Sequence, residues 1–128
     1  MIMRQSEGDL EIVKRYLELP ILLDVLEYDK KRIGSSKLNN QSIMVSYLES
    51  IQDKVTTDIY EVKKEMRKRS IKIIEQRRLE DRLVADYLCR NYKHQISLLW
   101  SKVKFDSEVT LARYMGIDIY KLDKPPIR

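Results

Sequence analysis

The sequence predicts an all-α fold: a helical bundle around one long amphipathic helix, with an N-terminal helical hairpin before it and short helices after it. Three observations predict this. Between Gly34 and Gly116 lie 81 residues with neither glycine nor proline, the two strongest breakers of helix. Apolar residues from Met44 onward recur at steps of three and four. The composition is dominated by Leu, Ile, Val, Lys, Arg and Glu, with only three Gly and three Pro.

The first helical segment is "SEGDLEIVKRYLELPILLDVLEYDKKRI". Ser6 and Asp9 are its candidate N-caps, and Gly34 closes it. Acidic residues come early and Lys30, Lys31 and Arg32 come late, the order that the helix dipole favours. Pro20 removes a backbone donor, so the helix is expected to kink or divide near Leu19. "GSSKLNNQ", residues 34–41, is the clearest loop and joins two helices as a hairpin.

The long segment spans 42–92. Met44, Leu48, Ile51, Val55, Ile59, Val62 and Met66 fall in a stripe of about 90° at 100° per residue. Leu48, Ile51, Val55, Ile59, Val62 and Met66 form either a core face or the seam of a coiled-coil dimer. The face changes within the basic run that begins at Lys63, where Ile71 points away from the stripe and Ile74 lies off its edge. One helix over 42–92 is about 75 Å long, too long for a compact chain of this size unless it dimerises or breaks. "CRNYKHQ" is the expected break, because Asn91 and His94 suit a helix interior poorly. Short C-terminal helices follow over 94–117. "KFDSE" is read as a turn with Asp106 or Ser107 as N-cap, and Gly116 ends the last helix. Residues 118–128 form a tail that Pro125 and Pro126 keep out of helix.

A chain of 128 residues is expected to form a single domain over 1–128. One cysteine, Cys89, excludes an internal disulfide and favours a reducing compartment. Its apolar context makes it a core residue rather than a reactive thiol. No start of the signal-peptide type and no membrane-length apolar run is present, so the expected location is cytoplasmic.

Charge is uneven. Residues 1–62 hold eight Lys or Arg and eleven Asp or Glu; 63–82 hold nine and four; 83–128 hold eight and five. The stretch "KKEMRKRSIKIIEQRRLEDR" is therefore the basic centre. Read as helix, it sets Lys64, Lys68 and Arg82 on the face opposite the apolar stripe, with Lys63, Arg67 and Arg78 beside them. Such a row neutralises phosphates and makes binding salt-dependent. The plain alternative is a solvated helix face with pairs such as Glu65–Arg69, each contributing about 0.2–0.5 kcal/mol.

Catalytic and metal signatures are absent: no HExxH, GxSxG, Walker or glycine-rich phosphate loop occurs. Neither cofactor nor metal is expected. The single His94 reads as a helix-end or surface residue rather than a base. "TLARYMGID" has the spacing of the first half of a helix-turn-helix, with Ala112 four residues before Gly116. The recognition helix that such a motif needs is cut short by "IDIYKLDKPPIR". A second arrangement puts "HQISLLWSKV" first and "SEVTLARYM" second, but the latter offers only Arg113 to a base.

The layout over 10–117, with "TLARYMGI", resembles the ArpU-like late-gene activators, small helical regulators of Gram-positive phages. That resemblance implies helical N-terminal regions, a C-terminal helix-turn-helix, DNA binding and transcription regulation. The expected function is thus a small, dimeric nucleic-acid-binding regulator, without enzymatic activity, touching phosphates through Lys63, Lys64, Arg67, Lys68, Arg78 and Arg82. The second reading is a protein-interaction module, an adaptor or an inhibitor of a host protein, anchored by Tyr87, Tyr92 and Trp100. A third is a structural oligomerisation domain.

Overall fold

The computed structural model of the chain describes residues 5–121. Its fold is α+β, not all-α: two antiparallel helices, α1 (Glu7–Gly34) and α2 (Gln41–Lys68), lead into a three-stranded antiparallel meander and a last helix. The strands are β1 (Ile71–Arg78), β2 (Arg82–Cys89) and β3 (Tyr92–Leu99), in the order β1-β2-β3. Helix α3 (Trp100–Met115) follows β3 directly, and a 3-10 turn spans Ile119–Lys121.

Helix α1 begins with a capping box. The Ser6 hydroxyl accepts from the Asp9 backbone N–H at 3.1 Å, and the Asp9 carboxylate accepts from the Ser6 N–H at 2.8 Å. The helix runs unbroken through Pro20. A helix of this length loses one backbone bond there and keeps the rest, and Leu19 and Leu22 on either side are buried. The loop of residues 35–40 returns the chain as the hairpin that its Gly, Ser and Asn content predicts.

The 42–92 helix does not exist as one element. It ends at Lys68, and Ser70 takes a left-handed conformation (φ 55°) that turns the chain into β1. No glycine marks this turn. Its backbone is held from elsewhere: the Arg90 N–H donates to the Ser70 carbonyl at 2.8 Å. Beyond it the apolar period falls from about 3.6 to 2, which specifies strand. Ile71 and Ile73 of β1 pair with Cys89 and Tyr87 of β2, and Leu83 and Ala85 pair with Leu98 and Ile96 of β3. These residues line the face that meets the helices. A bulge at Ile74 shifts the register, so that Glu75 faces Asp86.

"CRNY" is a turn, but between strands. Arg90 (φ 51°) and Asn91 (φ 71°) are both left-handed, the two-residue type I′ hairpin geometry. The short helices expected over 94–117 are likewise replaced. Residues up to Leu99 are strand, and "KFDSE" lies inside α3, where Asp106 accepts from Lys102 one turn earlier at 2.8 Å. Only the end agrees: Gly116 (φ 72°) is a left-handed C-cap, and the Ile117 N–H donates back to the Ala112 carbonyl at 2.8 Å.

The α2 stripe is a core face. Leu48, Ile51, Val55, Val62 and Met66 are buried, Ile59 packs against them, and all meet α1 residues such as Val13, Leu17, Leu22 and Leu26. The apolar stripe therefore closes the hairpin and offers no free coiled-coil seam. The tail expected over 118–128 begins with the 3-10 turn at Ile119–Lys121; residues 122–128, with both late prolines, lie outside the described residues.

Candidate functional site

Two charged regions stand out. The first is the end of the molecule where α2 runs out. Here Lys63, Lys64, Arg67 and Lys68 fan over about 140° of the helix on the side away from its core face, and all four are exposed. Lys64 is partly occupied, 3.8 Å from Glu61 and 5.7 Å from the Tyr60 ring centroid.

The sheet adds two cations that the helical reading did not single out. Lys72 on β1 and Lys93 on β3 both pair with Leu88 of β2, so they flank it on the outer face, about 10 Å apart across two strand spacings. Both are exposed. Among the described residues, no carboxylate lies at ion-pair distance from Lys63, Arg67, Lys68, Lys72 or Lys93. The signal for Lys72 and Lys93 is present in sequence, as polar positions alternating with Ile71, Ile73, His94 and Ile96, but it emerges only once the region is read with period 2.

The same turn of the fold uses its other two arginines internally. Asp9 is 2% exposed and accepts from Arg90 Nη2 at 2.5 Å and from Arg69 Nη1 at 3.0 Å. Arg69 also donates to Glu65 at 2.8 Å, and Arg90 Nη1 donates to the Arg69 carbonyl at 3.2 Å. The Arg90 hydrogen bond, with help from Ser6 and Arg69, holds the Asp9 carboxyl well below the ordinary carboxylate range against the opposing effect of burial. Cys89 Sγ lies 3.7 Å from the same carboxylate, and burial pushes its thiol up, away from the reactive thiolate. This cluster fastens the start of α1 to the two left-handed turns.

Arg78 and Arg82, expected to join the basic face, lie at the far ends of β1 and β2. Six strand steps separate Arg78 from Lys72, about 20 Å. Arg82 is engaged by Asp81 at 2.9 Å and Ser97 at 3.3 Å. The six expected phosphate ligands are thus split four and two. The interaction anchors are split as well. Tyr87 is fully buried, donating to Gln5 and stacked on His94 at 5.4 Å. Trp100 is half-buried, with Nε1 donating to the Leu79 carbonyl at 2.8 Å. Only Tyr92 is exposed.

The second region is a cleft of about 290 Å³ between α1, α2 and α3. Lys14, Arg15, Asp58 and Arg113 contribute charge to its walls, and Tyr114 donates to Asp58 at 2.5 Å. Glu18 of α1 meets Asp106 of α3 there. Burial first, and then the neighbouring Asp106, pushes the Glu18 carboxyl up to about 8. Among the described residues no group of three or more His, Cys, Asp or Glu is arranged to hold a metal ion, and no helix is long and apolar enough to cross a membrane.

The helix-turn-helix expected from "TLARYMGID" finds Ala112 buried and Gly116 in place, but the 3-10 turn follows where a recognition helix is required. In the alternative arrangement, the first helix is instead mostly strand β3. Comparison with known proteins gives one family: the model described as YhjD protein matches residues 4–119. No curated protein and no solved structure matches.

Proposed function

The chain belongs to the YhjD protein family, and we propose that it binds the phosphate backbone of nucleic acid through the end of the molecule formed by the α2 terminus and the neighbouring strand ends. The observation that carries this is the set of five exposed cations, Lys63, Arg67, Lys68, Lys72 and Lys93, none of which has a carboxylate at ion-pair distance among the described residues; Lys68 and Lys93 act on Glu65 and Asp86 only at longer range. Helix chemistry accounts for part of it, because cations in a last turn offset the helix dipole by about 0.3–1 kcal/mol each. It does not account for Lys72 and Lys93, which sit on strands. Such contacts position a duplex or single strand and read no sequence. The role supported is therefore that of a backbone-binding component rather than of an operator-reading repressor.

The test is binding to random-sequence duplex and single-stranded DNA and RNA across a salt series. The expected result is affinity that falls steeply with salt. Lys68→Glu combined with Lys93→Glu should weaken binding at least tenfold. On duplex DNA it should also make the log–log salt slope shallower by about 0.9 for each phosphate no longer neutralised. Arg78→Glu should leave binding unchanged. Absence of binding at low salt sinks the reading, and an equal weakening in Arg78→Glu removes its assignment to this end.

A further inference from the structure

Helix α3 is joined to α1 and α2 along the cleft, and the join contains an unusual meeting of like charges. Glu18 Oε2 and Asp106 Oδ2 are both shielded from water, and neither has a hydrogen-bond donor among the described residues. Two ionised carboxylates in that position repel each other where little water screens them. One proton between them turns the repulsion into a hydrogen bond and satisfies both orphaned oxygens. The proton belongs on Glu18, because Asp106 already has lysine partners: Lys102 at 2.8 Å on Oδ1 and Lys14 at 3.9 Å on Oδ2.

We propose that the Glu18–Asp106 pair is a proton-operated latch for α3: a shared proton holds the middle of the helix to α1, and its loss loosens that join and opens the adjoining cleft. The other charged groups facing the pair set its limits. On α1, Lys14 favours the ionised state of Glu18 and Glu11 lies in the same wall. On α3, Lys102 also favours ionisation, while Arg113 faces the cleft further along. From α2 comes Asp58, which ties Arg15 at 3.9 Å and Tyr114 at 2.5 Å. That second tie holds the C-terminal part of α3 through the same pH range, since burial keeps the Tyr114 hydroxyl protonated well above the ordinary tyrosine range. The helix therefore hinges near Tyr114 while its middle moves.

A carboxyl whose titration is raised in the folded chain binds a proton there that the unfolded chain releases. The fold therefore gives up stability as pH rises from about 4.5 to about 8. The experiment is hydrogen exchange of the α3 amides from pH 5 to 9, corrected for intrinsic rates, on the full chain and on Glu18→Gln. Glutamine keeps the shape and a donor without the charge. In the unaltered chain, protection around Val103–Leu111 should drop at least tenfold across this range, and in Glu18→Gln it should drop by less than a third as much on a logarithmic scale. An equal drop in both overturns the latch, as does constant protection in the unaltered chain. Should Glu18→Gln fail to fold, the carboxyl ¹³C titration of the unaltered chain decides: a Glu18 midpoint above pH 7 supports the latch, and one at or below pH 7 overturns it.

Discussion

Asp9 lies 60 residues from Arg69 and 81 from Arg90, yet both guanidiniums reach it while only 2% of the residue meets solvent. Removing one partner from such a cluster is worse than never having built it, because the charges left behind lose compensation. Asp9→Ala is expected to cost about 3 kcal/mol, at the low end for a broken buried pair because both arginines keep some access to water. Denaturant unfolding at neutral pH measures it. The same carboxyl fixes an acid dependence. Its titration is depressed in the folded chain, chiefly by Arg90, so its stabilisation is complete above about pH 4 and is lost as pH falls further. In Asp9→Asn the fall in unfolding free energy below pH 4 should be shallower than in the unaltered chain. At this scale the sequence is partly legible: Ser6 and Asp9 are visible as cap residues, but nothing local announces Arg69 and Arg90 as their partners.

The elements show why a strand region carries the local signs of helix. Absence of glycine and proline suggests continuity, yet each turn here is made without them. Ser70 enters left-handed space beneath the Arg90 hydrogen bond. Residues 79–81 turn with Trp100 holding both ends, its side chain on the Leu79 carbonyl and its backbone N–H on that of Asp81 at 3.0 Å. Tertiary contacts supply what a breaker residue supplies elsewhere, and no local rule detects that. The alternation Leu83, Ala85, Tyr87, Cys89 is legible as period 2, and Asn91 marks a break in either reading. A left-handed site tolerates Asn or Gly and disfavours a branched side chain by about 1–2 kcal/mol. Asn91→Gly should leave the melting temperature unchanged or raise it, and Asn91→Val should lower it by several degrees. The opposite order would contradict the turn.

For the whole molecule, the acidic first half and basic later part are real in composition, but folding redistributes them. Asp9 and Asp58 of the helical hairpin take up Arg69, Arg90 and Arg15, while Lys63 to Lys68 gain Lys72 and Lys93 as neighbours at one end. The hairpin half is readable, since its stripe obeys one period through the whole of α2. The surface proposed to meet phosphates is readable only in part, because the strand cations change sides when the period changes. Ile51 is fully buried between the two long helices. Ile51→Ala should therefore cost about 2–5 kcal/mol in denaturant unfolding, with the proposed nucleic-acid affinity of the folded fraction unchanged. A change in affinity alone, without loss of stability, would place the stripe in an interface instead of the core.

The clasp at Asp9 also has a consequence in time. On a ribosome the helical hairpin is made first, and its seam needs nothing from later residues. The first turn of α1, however, already carries a carboxylate whose principal partner is Arg90, made after both β1 and β2. Until that residue leaves the exit tunnel, the first turn of α1 has a half-filled socket. Domains settle as units during synthesis, and here the closing of the unit is deferred until its first ten residues are met by the ninetieth. A nascent chain whose emerged part ends shortly after Arg78 has the hairpin in hand but lacks the piece that locks the start of α1.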